Sequence, residues 1–385
     1  MAMEEKKRLY PIIFEAETER HAWGTETFLV ADLGIVDSVV KNGWLAGNTF
    51  SDIMETYIER ISGEDVYNFY GRQFPVAVSL ICIDGRMPVQ CHPDDEAAGQ
   101  RYDALGKRTM WYILEASEDA KVCLGFNREM SASELYGRCL DGTVGDTLAS
   151  FTPHAGDCME IRPGTVYSAS GKLRIISVSE SSAITFTLYD PDGKPEDSHI
   201  EDAIDLIDYH ASDIIGHTEP GQASGKDCAG SEPAGDTPGD TLLSSQEFSV
   251  RKMKVDGPMK VTSGHSFTIY ICISGSFSIQ ASVKDSSGIH TASWPAQCGE
   301  TVLVPADMDE FFLVPADRDT EVLEVFIEKR EVIDDYINPD TEPFLEGEDY
   351  EGAEDEDDAA DARDDDNARN GEDSDTVSNI RRFFN

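Results

Sequence analysis

The sequence predicts a mainly β protein: two β-barrels or sandwiches in tandem, a small helical portion, and a disordered acidic C-terminal tail. Three observations predict it. Short runs of β-branched and aromatic residues alternate with Gly, Pro and Asp turns at short intervals. The run Gly156-Asp157-Cys158-Met159-Glu160-Ile161-Arg162-Pro163 is echoed by Gly299-Glu300-Thr301-Val302-Leu303-Val304-Pro305, so the second half reads as a further copy of the first barrel. Between Glu346 and Asp375 stand sixteen acidic and two basic residues, a composition that cannot bury a core.

Taken in order, Leu9 to Phe14 form an extended apolar entry, and His21-Ala22-Trp23-Gly24 follow. Thr49 caps a helix running through Ile61, with Ile53, Met54, Tyr57, Ile58 and Ile61 on one face and Gly63 as its stop. Phe74 to Ile83 is a nearly continuous apolar strand. Asp84-Gly85 then marks a hairpin turn, and Met87 to His92 is the returning strand. Trp111–Leu114, Lys121–Phe126, Cys158–Ile161, Leu173–Ser179 and Ala183–Tyr189 are further strands, and Ser131 or Ser133 caps a helix carrying Leu135, Tyr136 and Cys139. His199 to His210 reads as a helix from the spacing of Ile200, Ala203, Ile204 and Ile207.

Residues 216–240 are rich in Gly, Ser, Pro and Asp and read as a flexible linker, with His217 and Cys228 on it as solvated residues. It separates an N-terminal domain, 9–215, from a C-terminal barrel, 241–335. Strands there are expected at Glu247–Val255, Ser266–Ile273, Ser276–Val283, Glu300–Pro305 and Glu321–Glu328. The tail, 345–385, ends in the basic-aromatic knot Ile380–Phe384.

At 385 residues and 40% hydrophobic content, the chain can bury real cores. Its net charge of −44 argues against contact with a phosphate backbone, so no nucleic-acid partner is expected. No apolar run approaches a membrane span, and the residues after Met1 lack the apolar core of a signal peptide; the expected location is cytoplasmic. The eight cysteines form no CxxC pair and sit partly in apolar runs, the pattern of reduced, buried thiols.

Chemistry concentrates in Val89-Gln90-Cys91-His92-Pro93-Asp94-Asp95-Glu96. Gln90 and His92 are two apart, so on a strand both side chains reach one face, and Pro93 ends the strand. An amide oxygen and an imidazole then converge on one point, as a metal or a polar ligand requires. A satisfied polar patch gives the same pattern.

This stretch, with Gly106-Lys107 and Trp111-Tyr112-Ile113-Leu114, resembles the type I mannose-6-phosphate isomerases (phosphomannose isomerases), which are zinc cupins. Further landmarks are Trp23-Gly24, Pro163-Gly164-Thr165, Thr185-Phe186-x-Leu188-Tyr189-Asp190 and His199-Ile200-x-x-Ala203-Ile204, so the resemblance covers roughly residues 9–330. It implies two cupin-type (jelly-roll) barrels and interconversion of mannose 6-phosphate and fructose 6-phosphate at zinc, with a sugar phosphate as partner. It places Gln90 and His92 at the first two metal positions and Lys107 beside the metal as a catalytic and substrate-binding residue.

Elsewhere the chain departs from the pattern. The ligand glutamate is Thr109, the second ligand histidine is Tyr167, and the substrate-binding arginine is Thr187. Ser79 and Pro88 stand where the family has Lys and Ser, and Ser177, Ser179 and Ala183 replace acidic and amide residues. Tyr167 ligates only as a phenolate, against an ordinary pKa of about 10. Glu180 and His154 are the other candidates for a replacement ligand. Three readings stay open: an isomerase with a rebuilt zinc site, a non-catalytic cupin that binds a sugar phosphate or regulates a partner, and a scaffold using the barrel and tail. The second barrel carries no Gln-x-His and reads as structural.

Overall fold

The computed structural model describes residues 7–194, 198–212, 239–262, 266–285 and 288–328. The linker reading, with His217 and Cys228, falls almost wholly outside them, and the acidic tail with Ile380–Phe384 falls entirely outside. None of the described helices is long and apolar enough to cross a membrane.

The first half opens with a hairpin, β1 (Glu17–His21) and β2 (Gly24–Val30), closed by Ala22-Trp23. Gly24 is fixed there by φ +152° and by space: a Cβ would sit 2.0 Å from the carbonyl oxygen of Cys82. Next come α1 (Phe50–Ser62) and α2 (Glu64–Tyr70). Thr49 caps α1 as expected and completes a reciprocal capping box with Asp52. Gly63, at φ 96°, ends α1, but α2 starts at once on Glu64 and Asp65 and was not visible in the apolar spacing.

Then follow β3 (Val76–Arg86), β4 (Val89–Cys91), α3 (Asp95–Tyr102), β5 (Thr109–Ala116), β6 (Lys121–Phe126), α4 (Ala132–Leu140), β7 (Leu148–Phe151), β8 (Cys158–Ile161), β9 (Tyr167–Glu180), β10 (Phe186–Tyr189) and α5 (Ile200–Ala203). All ten strands join one sheet, and β9 is its hub, pairing with β3, β4, β5 and β6. Its fourteen residues are shared out, with β3 and β4 along one edge and β5 and β6 along the other.

Two local expectations are corrected. Asp84-Gly85 makes no hairpin. β3 runs straight through it, with Asp84 opposite Lys172 and Gly85 opposite Gly171, because pairing with β9 outweighs the turn signal. The helix expected over His199–His210 is a single turn, Ile200–Ala203. Beyond it the backbone bonds to the barrel instead: Asp208 N–H donates to Gly164 O and Ser212 N–H to Phe126 O.

The second half has two sheets. β11 (Asp240–Ser244), β12 (Ser249–Lys254), β14 (Thr268–Ser274), β17 (Thr301–Val304) and β19 (Glu321–Phe326) make one, and β13 (Met259–Thr262), β15 (Ser276–Asp285), β16 (Gly288–Gln297) and β18 (Glu310–Pro315) the other. Of these, β11, β13 and β16 carry few apolar residues to mark them as strands beforehand, whereas β18 contains an apolar run, residues 311–314, that is absent from the strands expected from the sequence. The inward faces, among them Tyr270, Phe277, Ile279, Phe311 and Val322, form their own core.

A larger core joins the halves. α1 and the strap Leu9–Phe14 lie between them, so Ile53, Phe50, Phe74, Phe267 and Val325 belong to one cluster. Ile12 pairs with Leu303, Phe267 N–H donates to Ser62 O, and Arg60 bonds Asp307 at 2.6 Å.

Candidate functional site

β4 sits between β10 and β9, with Gln90 opposite both Thr187 and Tyr167. Alternation does the sorting. Cys91 goes into the packed cluster with Phe186 and Leu188, while Gln90 and His92 line a cavity of about 390 Å³ inside the barrel. On β5 and the residues before it, Lys107, Thr109 and Trp111 face the cavity. β9 adds Tyr167, Ser177 and Ser179, and β3 adds Ser79.

Five of the site residues singled out in the sequence therefore meet at one cavity: Gln90, His92, Lys107, Tyr167 and Thr187. Glu180 and His154 do not line it. Glu180 points to the opposite face, where it accepts from the Arg108 N–H at 2.7 Å; His154 is exposed beside Asp157.

The cavity also holds a carboxylate that the sequence reading missed. Glu26, on β2, accepts a hydrogen bond from Ser79 Oγ at 2.7 Å. Its strand begins as a polar run, Gly-Thr-Glu-Thr, with no apolar alternation to mark it beforehand.

Lys107 Nζ donates to Thr185 Oγ1 at 3.2 Å, and that hydroxyl lies 3.4 Å from His92 Nδ1. Burial, reinforced by the Lys107 cation, holds the His92 imidazole well below its usual pKa. Burial also lowers Lys107, with Glu26 opposing the shift. The Tyr167 phenol is pushed well above its ordinary value by burial and by Glu26. Its ring lies 4.9 Å from that of His92 and edge-on to Trp111. His21, stacked on Trp23, is lowered by burial, and its Nε2 is buried without a hydrogen-bond partner.

These donors do not fit zinc. The four positions that the resemblance assigns to the metal hold an amide, a neutral imidazole and two hydroxyls, and the phenol is held protonated. The Lys107 ammonium sits in the same network and opposes a cation. Among the described residues no group of three or more His, Cys, Asp or Glu side chains is placed to hold a metal.

No protein-family model matches the chain. The "Probable mannose-6-phosphate isomerase GmuF" of Bacillus subtilis is 26% identical over 245 residues, 62% of this chain and 72% of that protein. The mannose-6-phosphate isomerase of Streptococcus mutans is 26% identical over 243 residues, 62% and 71%. Among solved structures, the mannose 6-phosphate isomerase from Bacillus subtilis superposes with a TM-score of 0.66 at 21% identity, covering 83% of this chain and all of that one. A zinc-bound mannose 6-phosphate isomerase matches at 0.61 and 12% identity, with 83% and 100% coverage. Relatives and structures together indicate, at low identity, a likeness to the mannose-6-phosphate isomerases, and the chain has their cupin fold.

Proposed function

We propose that this chain holds a small sugar or sugar phosphate in the barrel cavity and does not carry out zinc-dependent aldose–ketose isomerisation. One observation carries the reading: the metal positions are filled by Gln90, His92, Thr109 and Tyr167, a set without an anion beside the Lys107 cation. Isomerising an aldose moves a proton between C1 and C2 and needs a general base and a group to hold the developing oxyanion. With Thr187 in place of an arginine, the cations lining the cavity are Lys107 in its interior and Arg20, and the Tyr167 phenol, held protonated, offers no base.

Ligand binding is assigned to the domain proposed for 9–215, with 241–335 as a supporting barrel. A cytoplasmic setting agrees with the seven free cysteines among the described residues.

A coupled assay for interconversion of mannose 6-phosphate and fructose 6-phosphate, with and without added zinc, tests the reading. The expected rate equals that of His92→Ala. Zinc-dependent turnover abolished by His92→Ala would overturn it and establish the second reading, an isomerase with a rebuilt site. That alternative is favoured by the convergence of Gln90, His92, Lys107 and Glu26 on one cavity.

A further inference from the structure

We propose that the cavity is built for an uncharged polyhydroxylated ligand, a free hexose, in preference to a phosphorylated one. This ligand class rests on the sugar-binding reading above and narrows it.

The charges lining the cavity cancel. Lys107 faces Glu26 in the interior, and Arg20 and Asp190 stand one against one among the lining residues. A phosphate dianion is ordinarily met by several cations or by free helix N-terminal amides. Here the single interior cation is matched by a carboxylate. The helix that begins beside His92, α3, has its N-terminus occupied by acid: Asp94 accepts from Ala97 N–H at 2.8 Å, and Asp95 and Glu96 fill the first turn. A dianion would enter against Glu26 in a poorly screened interior, and against the field of a chain of net charge −44.

What the wall does offer is hydroxyls in register. Ser79 on β3 lies opposite Ser177 on β9, which lies opposite Trp111 on β5. One step along the same face, Ser179 lies opposite Thr109. Small hydroxyl side chains thus form adjoining rows across three paired strands, flanked by the Trp111 ring. With the Gln90 amide and the Glu26 carboxylate, this wall donates to and accepts from several hydroxyls at once, and the indole supplies an apolar face for ring C–H groups. Its volume of about 390 Å³ lies within the range of small-molecule sites.

Calorimetric titration of the full chain with D-mannose and D-fructose, and separately with their 6-phosphates at fixed ionic strength, tests the proposal. Free hexose is expected to bind at least about tenfold more tightly than its 6-phosphate. Glu26→Gln should weaken hexose binding by about tenfold and narrow the gap to the phosphate. A 6-phosphate that binds as tightly as the free sugar, or more tightly, overturns the proposal while leaving the sugar-binding reading intact. Absence of binding by all four compounds overturns both. The wild-type comparison needs no variant, so the test survives even if Glu26→Gln fails to fold.

Discussion

Arg108→Leu is expected to lower the unfolding free energy by about 3–5 kcal/mol, read from urea or thermal unfolding. Lys107 and Thr109 face the cavity, so Arg108 between them points to the other side of β5, into a nest of acids. Its guanidinium bonds the Glu160 carboxylate, and its Nε lies 2.9 Å from Glu247 Oε2. Its backbone N–H holds Glu180, which is buried, and Asp95 accepts from Gly106 N–H at 2.8 Å. Removing the cation leaves half-buried and buried carboxylates facing one another, which is the costly way to break a buried ion cluster. Arg108→Lys keeps the charge and loses the fork, so it should cost less. Equal losses for the two variants would show that charge is not the cause.

The same nest has a pH signature. Burial, and then the neighbouring Asp95, push the Glu180 carboxyl well above its ordinary 4.5. A carboxyl raised in the folded state stabilises that state fully below 4.5 and loses the contribution as pH rises toward its folded value. Glu180→Gln mimics the protonated form at every pH. The variant is therefore expected to gain stability over wild type as pH rises from about 4.5 to 7. A gap that shrinks over that window would mean that Glu180 is ionised in the folded protein.

Phe74→Ala is expected to cost about 3–5 kcal/mol as well, by a different route. Phe14, Phe50, Phe74 and Phe267 pack in series as tilted rings with centroids 4.8, 4.7 and 4.4 Å apart. Phe74 and Phe267 are both 0% exposed, and Phe267 comes from the second half. Truncating Phe74 opens a cavity in the core that both halves share, and partial collapse cannot refill it. A double-mutant cycle with Phe267→Ala should give a coupling of about 0.5–1.5 kcal/mol. Strict additivity would show that the rings do not join the halves energetically.

Much of the fold was legible because local and tertiary preferences agree. The Thr49 cap, the Gly63 stop and the apolar face of α1 all point to one helix. β6 and β8 are short apolar runs bounded by turns, and their limits match the structure. Legibility failed where one partner strand decides the outcome. Asp84-Gly85 is a hairpin signal that β9 overrides, and the residues after Ala203 trade helical bonds for bonds to Gly164 and Phe126. Polar edge strands such as β1, β13 and β16 have almost no apolar pattern to detect. In the site, Gln90 and His92 are visible from spacing, since two residues on one strand need no third element. Lys107, Tyr167 and Thr187 could be named only through the resemblance. Glu26 could not be placed at all, because its position depends on Ser79 across a sheet whose first strands were unread.

The pairing of Ile12 with Leu303 bears on how the protein is made. The strap Leu9–Phe14 leaves the ribosome before the strands of either half, yet its partner strand β17 emerges after most of them. Until then Ile12 and Phe14 have no complete surface to cover, and an apolar segment waits in solution while nearly the whole of both barrels is synthesised. The N-terminal barrel thus reaches its final packing only after the C-terminal sheet has formed, so a nascent chain halted before Thr301 is left with an unclosed seam at the strap Leu9–Phe14.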